Sequence, residues 1–254
     1  MKVAIHQPHY FPWMGYFDKM AKVDKFIIMD DVQLEDSSVM VRNKFLENTG
    51  VEKLLSLNVD KKGYLEKKCR EINLKDWQKV RKKHSKFLYY NYKNAPYFNE
   101  IWEKISCIFE KNYELLIELQ MDIIMIFIEL LNIKTEIVFQ SSLKYDIETK
   151  KNNLVLELCQ KIEADVYLSG NGAKKYMDDS TFLKNNIKVI YQKFTYPEYK
   201  QFSSLEFIPN LSILDMFFNL GIIESNKVFW KNVEEGREIE DRSIWYQNKR
   251  IIKK

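Results

Sequence analysis

The sequence predicts an α/β fold, Rossmann-like, with a mostly parallel sheet and a helical insertion between its two halves. Three observations predict it. Short apolar runs at 2–6 and 25–29 flank a helical pattern at 13–23. Strands about twenty residues apart with one helix between them pair in parallel. From Asp76 to Asn132 the pattern is purely helical, and after Asn132 strand and helix alternate again.

In order along the chain, KVAIH (2–6) reads as a buried strand. The helix over 13–23 carries Met14, Phe17, Met20 and Ala21 on one face, and KFIIM (25–29) follows as the second strand. KLLSLNV (53–59) suggests a further strand, and CREINL (69–74) another. Asp76 is placed to cap a helix bearing Val80, His84, Phe87 and Leu88, which Ala95-Pro96 breaks. Helices over 97–110 and 113–132 come next. TEIVF (135–139), DVYLS (165–169) and IKVIY (187–191) are strands, with an amphipathic helix over 149–163 and a short one after SGNG. NLSILDMFFNL (210–220) is a helix stopped by Gly221. One domain is expected, in four stretches. These are an N-terminal α/β half (1–75), a helical segment (76–132), a C-terminal α/β half (133–225) and a charged peripheral tail (226–254).

The 254 residues suffice for a sizeable core. Forty basic against 36 acidic residues do not suggest a dedicated nucleic-acid binder but leave room for a local basic patch. The Lys-rich stretches at 61–68 and 78–86 read as solvated helix faces that could hold a diphosphate. Cys69, Cys107 and Cys159 are widely spaced and odd in number, as expected of reduced thiols in a cytoplasmic protein. No signal peptide is visible. The most apolar stretch, 114–133, carries Glu118, Asp122 and Glu129, so no membrane span is expected.

Ligands of open parallel sheets bind beyond the carboxyl ends of the strands. Three unusual loops fall there: HQPHYFPW, DDVQ and SGNG. His6 and His9 stand three apart, with Pro8 between, and a metal would need a further ligand such as Asp30 or Asp31. A neutral His6, paired with Gln7 at the strand end, is the favoured reading, and no metal is assigned. Tyr10 and Trp13 offer stacking surfaces at the loop-to-helix junction, where core packing is the competing reading. Asp30 and Asp31 could accept an amine proton or hold Mg2+, and Arg42-Asn43 could bind phosphate. Ser169, Gly170, Asn171 and Gly172, followed by Tyr176, have the chemistry of an anion cradle. His84 more often packs in a helix than binds a ligand.

Together HQPHYFPWMGYFDK, DDVQ, RNK, NYKNAPYF, YLSGNGAKKY and NLSILDMFFNLG resemble the WbqC-like family, over roughly residues 2–221. The family's opening usually has asparagine where His9 stands, which argues further against a His6/His9 metal pair. The resemblance implies a role in O-antigen and related surface-polysaccharide synthesis. It further implies an enzyme transferring an amino-acyl group, of glycine type, onto a nucleotide-linked 4-amino-4,6-dideoxy sugar. A more distant similarity links the chain to nucleotidyltransferases and class I synthetases, whose helix opens with H-x-G-H. Here Trp13-Met14-Gly15-Tyr16 keeps the glycine, which would let a nucleotide approach, and neither histidine.

The expected machinery is therefore a base drawn from His6, Asp30 and Asp31. Arg42 and the SGNG turn would hold phosphates. Trp13, Tyr92, Tyr97 and His84 would contact sugar or base. The donor would be an amino acid with ATP, or a pre-activated carrier such as aminoacyl-tRNA. Two other readings stay open: a metal-dependent glycosyltransferase or nucleotidyltransferase of the same pathway, and a non-catalytic assembly protein.

Overall fold

The computed structural model describes residues 1–34, 39–175 and 177–252, with side chains described to 241. Five strands form the main sheet: β1 (Lys2–His6), β2 (Lys25–Ile28), β5 (Glu136–Phe139), β6 (Val166–Ser169) and β7 (Lys188–Tyr191). Every pairing among them is parallel. The spatial order is β5-β2-β1-β6-β7, so the chain reverses direction across the sheet between β1 and β6. That order matches the doubly wound arrangement, in which the reversal opens a crevice at the strands' carboxyl ends.

Alternation along β1 sends Val3 and Ile5 to one face and Ala4 to the other, as period 2 requires. The Val3 face packs under α5 (Lys151–Lys161) and α6 (Asp179–Lys184) through Leu154, Leu158 and Phe182. The Ala4 face packs under α1 (Met14–Ala21) and α4 (Leu116–Leu130), where Phe17, Met20, Phe26 and Phe127 are fully buried. α2 (Trp77–Tyr92) and α3 (Phe98–Ile105) complete the helical segment.

Several expectations needed correction. Arg42–Leu46 is a strand, β3, paired antiparallel with β4 (Glu52–Ser56) as a separate two-stranded sheet. RNKFL lacks apolar alternation because only part of its surface is buried, so its pattern gave no strand signal. Residues 69–74 form no strand: Cys69–Glu71 is a 3-10 turn, held by the Glu71 carboxylate on the Lys68 N–H at 2.9 Å. Asp76 precedes α2 but stands at φ 54° with its side chain uncapping. The helix start is anchored instead by the Trp77 indole, which donates to the Lys111 carbonyl at 3.0 Å.

The expected peripheral tail is not peripheral in its first half. α7 (Ile213–Ile252) is two helices joined at Gly221, whose φ of +70° breaks the first where the sequence predicted a stop. The second helix lies on α1 with Phe229 and Val233 fully buried. Gly236 makes the close approach there, since a Cβ would come within 2.1 Å of the Lys22 amine. Lys22 bonds both Asp18, at 2.9 Å, and Glu240, at 3.3 Å, all three side chains being buried. Burial pushes the Asp18 carboxyl up to about 6, against the pull of Lys22. Covered on both sides, α1 is buried along its whole length.

Candidate functional site

β1 and β6 part at their carboxyl ends, and the loops 7–13 and 170–175 leave from there. His6 ends β1 on the α1 side, partly buried, beside Ser169 at the end of β6, which is fully buried. Gln192, just past β7, ties the second of these loops to α1. Its N–H donates to the Ser169 carbonyl at 2.9 Å, and its carbonyl accepts Asn171 Nδ2 at 2.9 Å. Its side-chain amide donates to the Gly15 carbonyl at 2.8 Å and to Asp18 at 2.7 Å. Gln192 was not singled out in the sequence; a lone polar residue after a strand carries no pattern.

Beneath the crevice four polar side chains are packed together. The His6 and His9 rings lie edge to face at 4.6 Å between centroids, and Tyr16 lies 5.2 Å from His6 and 5.0 Å from His9. Lys19, one turn along α1, donates to the Ile5 carbonyl at 3.1 Å. His9 is 2% exposed, yet neither ring nitrogen has a partner among the described residues, nor has the Tyr16 hydroxyl. Burial lowers the Lys19 amine to about 7. Burial and then Lys19 lower His9 to about 3, and burial, Lys19 and His9 together hold His6 well below the usual imidazole value. Both imidazoles are therefore neutral at pH 7.

The contact of His6 Nδ1 with the Gln7 carbonyl, 3.2 Å, fixes its tautomer, since a carbonyl only accepts. Nδ1 carries the hydrogen, and Nε2 is left with its lone pair. Lys19 escaped the sequence reading because a lysine beside an apolar stripe normally reaches water. Its burial follows from its turning inward onto the sheet, to the Ile5 carbonyl and over the Phe26 ring at 5.9 Å.

A second cluster adjoins this one. Trp13, Arg42, Asn43, Lys44, Tyr196 and Asn210 line a groove of about 410 Å3. The Trp13 ring lies 5.2 Å from Phe194 and 5.7 Å from Tyr196. It also covers Gly15, where a Cβ would come within 2.0 Å of the indole. The glycine expected to admit a nucleotide thus first admits Trp13. The Arg42 guanidinium lines the groove without an ion-pair or hydrogen-bond partner among the described residues. Asn43 faces inward and pins the loop, donating to the Phe11 carbonyl at 2.6 Å.

Other expected contacts lie elsewhere. Tyr10 is fully buried, its hydroxyl 2.8 Å from His84 Nδ1, and His84 is 1% exposed. Burial lowers His84 to about 4. Tyr92 is fully buried, accepting the Leu46 N–H at 2.8 Å and donating to Asp215 at 3.0 Å. All three are buried with their polar atoms engaged by the protein, so the readings of Tyr10, His84 and Tyr92 as substrate contacts are corrected to packing residues that join the loop 7–13 and β3 to α2. Tyr97 is exposed at the start of α3, against Gly221 and apart from Trp13. Tyr176 lies outside the described residues.

The acidic pair diverges. Asp30 accepts the Ser141 N–H at 2.9 Å and its hydroxyl at 2.5 Å. Asp31 accepts Arg70 Nε at 2.8 Å and the Tyr145 hydroxyl. Burial would raise Asp31, but Tyr145 and Arg70 prevail and hold it below the usual carboxylate value. Both carboxylates are thus taken up by protein donors, whereas the Nδ1 contact of His6 leaves its Nε2 without a protein partner among the described residues. Among the described residues no three His, Cys, Asp or Glu side chains converge as a metal site would need.

The chain matches the WbqC-like protein family over residues 7–227. It belongs to that family. A WbqC-like relative, the uncharacterized protein Rv1507c of Mycobacterium tuberculosis, is 35% identical over 225 residues, spanning 87% of this chain and 94% of that protein. No solved structure matches. The matched region begins directly after β1 and takes in the other four strands of the main sheet, the loop 7–13 and the residues that line the Trp13 groove. No helix of the described residues is long and apolar enough to cross a membrane.

Proposed function

We propose that this WbqC-like protein is an amide-forming transferase. It moves an amino-acyl group of glycine type onto the amine of a nucleotide-linked 4-amino-4,6-dideoxy sugar, in O-antigen or related surface-polysaccharide synthesis. Family membership supports the polysaccharide setting. The observation that carries the chemistry is His6: a neutral imidazole with Nδ1 tied to Gln7 and Nε2 open, at the sheet's reversal point.

In this reading Arg42 and the turn at Gly170–Gly172 hold the sugar nucleotide's phosphates, and Trp13 with Tyr196 packs against sugar or base. The acceptor amine attacks the donor's carbonyl carbon. The N–H becomes strongly acidic as that bond forms, and His6 Nε2 takes the proton. The tetrahedral centre then collapses by expelling the carrier's oxygen or sulfur, to which the imidazolium of His6 returns the proton. Asp30 and Asp31 orient the loop after β2 and do not enter the step.

The test is to incubate the protein with a nucleotide-linked amino sugar and three donors in turn: glycine with ATP, a glycyl thioester and glycyl-tRNA. The expected result is the mass increment of one glycyl group with at least one donor, and a loss of about 100-fold or more in His6→Gln. No increment with any donor overturns the reading.

A further inference from the structure

We infer that α2 presents an RNA-binding face which leads to the Arg42 groove, so that the acyl donor is carried on RNA; this rests on the transferase reading above. Residues 61–93 contain twelve basic and three acidic residues, a local net of +9 in a chain whose total is +4. Between Trp77 and Lys93 there is no acidic residue at all. The inward side of α2 is Trp77, Val80, His84, Leu88 and Tyr92. The outward side is a stripe of exposed residues: Lys79, Lys82, Lys83, Lys86, Tyr90 and Lys93. Each of these lysines lacks a carboxylate partner among the described residues. That distinguishes them from the exposed lysines that do pair, such as Lys44 with Glu52 and Lys111 with Asp122.

The aromatic pattern is as telling as the charge. Tyr90 is 53% exposed, with the Lys86 and Lys93 amines over its ring at 5.6 and 5.7 Å. Tyr89, 47% exposed, stands 5.9 Å from it. An exposed ring between two unpaired cations offers a base a stacking surface and its flanking phosphates a charge each. Tyr89 also packs against Phe98 of α3 at 5.6 Å, so an acidic protein partner would explain the lysines and leave Tyr90 without a role.

The stripe also leads somewhere. Lys75 and Asp76, at the start of α2, share a cleft of about 470 Å3 with Arg42, Ser56, Asn58 and Lys61. Arg42 lines that cleft and the Trp13 groove alike. From Lys79 to Lys93 the helix extends about 21 Å. A chain of phosphates laid along it has its end delivered past Lys75 to Arg42 and so to the Trp13 groove. The helix opening Trp13-Met14-Gly15-Tyr16 lacks the histidines that a self-activating enzyme of the resembled class would use. A donor arriving already activated on an RNA end removes that need.

The experiment measures binding of deacylated bulk tRNA to the full-length protein by fluorescence anisotropy, across a salt series. Wild type is expected to bind, with log K falling about 3 to 4 per decade of salt, as four neutralised phosphates would give. The variant Lys79→Glu/Lys82→Glu/Lys83→Glu/Lys86→Glu should lose at least about 30-fold. Lys134→Glu/Lys150→Glu/Lys161→Glu/Lys184→Glu, the same charge change elsewhere, should lose less than about 3-fold. Tyr90→Ala should weaken binding about 10-fold with the salt slope unchanged. No binding, equal loss in the two charge variants, or duplex DNA or anionic vesicles held as tightly as tRNA would overturn the inference. Retained circular dichroism and melting midpoint establish that each variant folds. Binding as described without glycyl transfer would retain the RNA face and remove the transferase reading. Transfer from a thioester by a protein that ignores tRNA would do the reverse.

Discussion

The imidazoles of His6 and His9 meet edge to face, 4.6 Å between centroids, and both are held neutral within reach of one buried amine, Lys19. In the His6 half of the pair Nδ1 is taken by the Gln7 carbonyl, while in His9 neither nitrogen is bonded among the described residues. A buried polar group without a partner costs about 1–3 kcal/mol. The loop HQPHYFPW is therefore folded at some expense around an uncharged base.

His9 makes stability depend on pH in a defined window. Its folded pKa of about 3 lies below the unfolded value of 6.5, so between those values the unfolded chain binds the extra proton. Stability then rises with pH through the window and is lost as pH falls from 6.5 towards 3, by at most about 1.4 kcal/mol per unit for this one group. His9→Asn places there the residue the family resemblance expects. Its urea midpoint should fall less between pH 7 and pH 5 than that of wild type. Equal pH dependence in both proteins would remove His9 from this account.

Lys19→Met deletes the positive charge that depresses both imidazoles. His6 and His9 should titrate at higher pH than in wild type, yet still below 6.5, because burial is the larger cause. Imidazole proton resonances followed against pH read this directly. The acid limb of the transferase rate should move to higher pH by the same amount. Resonances that do not move would show that Lys19 does not set the charge state of His6.

Much of this was legible in the chain itself. KVAIH, KFII and VYLS are apolar runs at βαβ spacing, and they do form the parallel sheet in the positions expected. His6, Trp13 and Arg42 could be named because their residue types fall beside strand ends or helix starts. Tyr10, His84 and Tyr92 could not be told from ligand contacts, since a tyrosine serving a buried hairpin and one facing a sugar have the same local sequence. Burial of Asp18 and Lys22 depends on α7 folding back across α1, a contact separated by more than 200 residues. No window of the sequence contains that information.

Gly15→Ala tests the groove wall. The added Cβ would come within 2.0–2.1 Å of the Trp13 ring carbons, so the indole must leave its place against Phe194 and Tyr196. Alanine favours the helix over glycine by up to about 1 kcal/mol, so the fold should persist. The expected outcome is altered tryptophan emission with an unchanged far-ultraviolet spectrum, and about 10-fold weaker binding of a nucleotide-linked sugar. Unaltered emission and affinity together would show that Trp13 shapes no binding surface.

Glu240 decides whether the end of the chain is structural. Its carboxylate, fully buried, takes Lys22 at 3.3 Å, Lys2 at 3.2 Å and the Lys193 N–H at 2.9 Å. Those contacts join the second half of α7 to β1, α1 and the loop after β7, all of which frame the crevice. Glu240→Ala leaves Lys22 with Asp18 as its one remaining carboxylate, and Asp18 is itself buried and only weakly acidic. Removing one partner of a buried ion pair costs about 3–5 kcal/mol, and the surviving Asp18 contact places the expected loss at the lower end, about 3 kcal/mol. Lys231→Ala, on the same helix but 80% exposed, should change stability by less than about 0.5 kcal/mol. Chemical denaturation of both variants separates the cases. Equal, negligible losses would mean that the charged helix rides on the surface and that the burial of Asp18 and Lys22 is maintained without it.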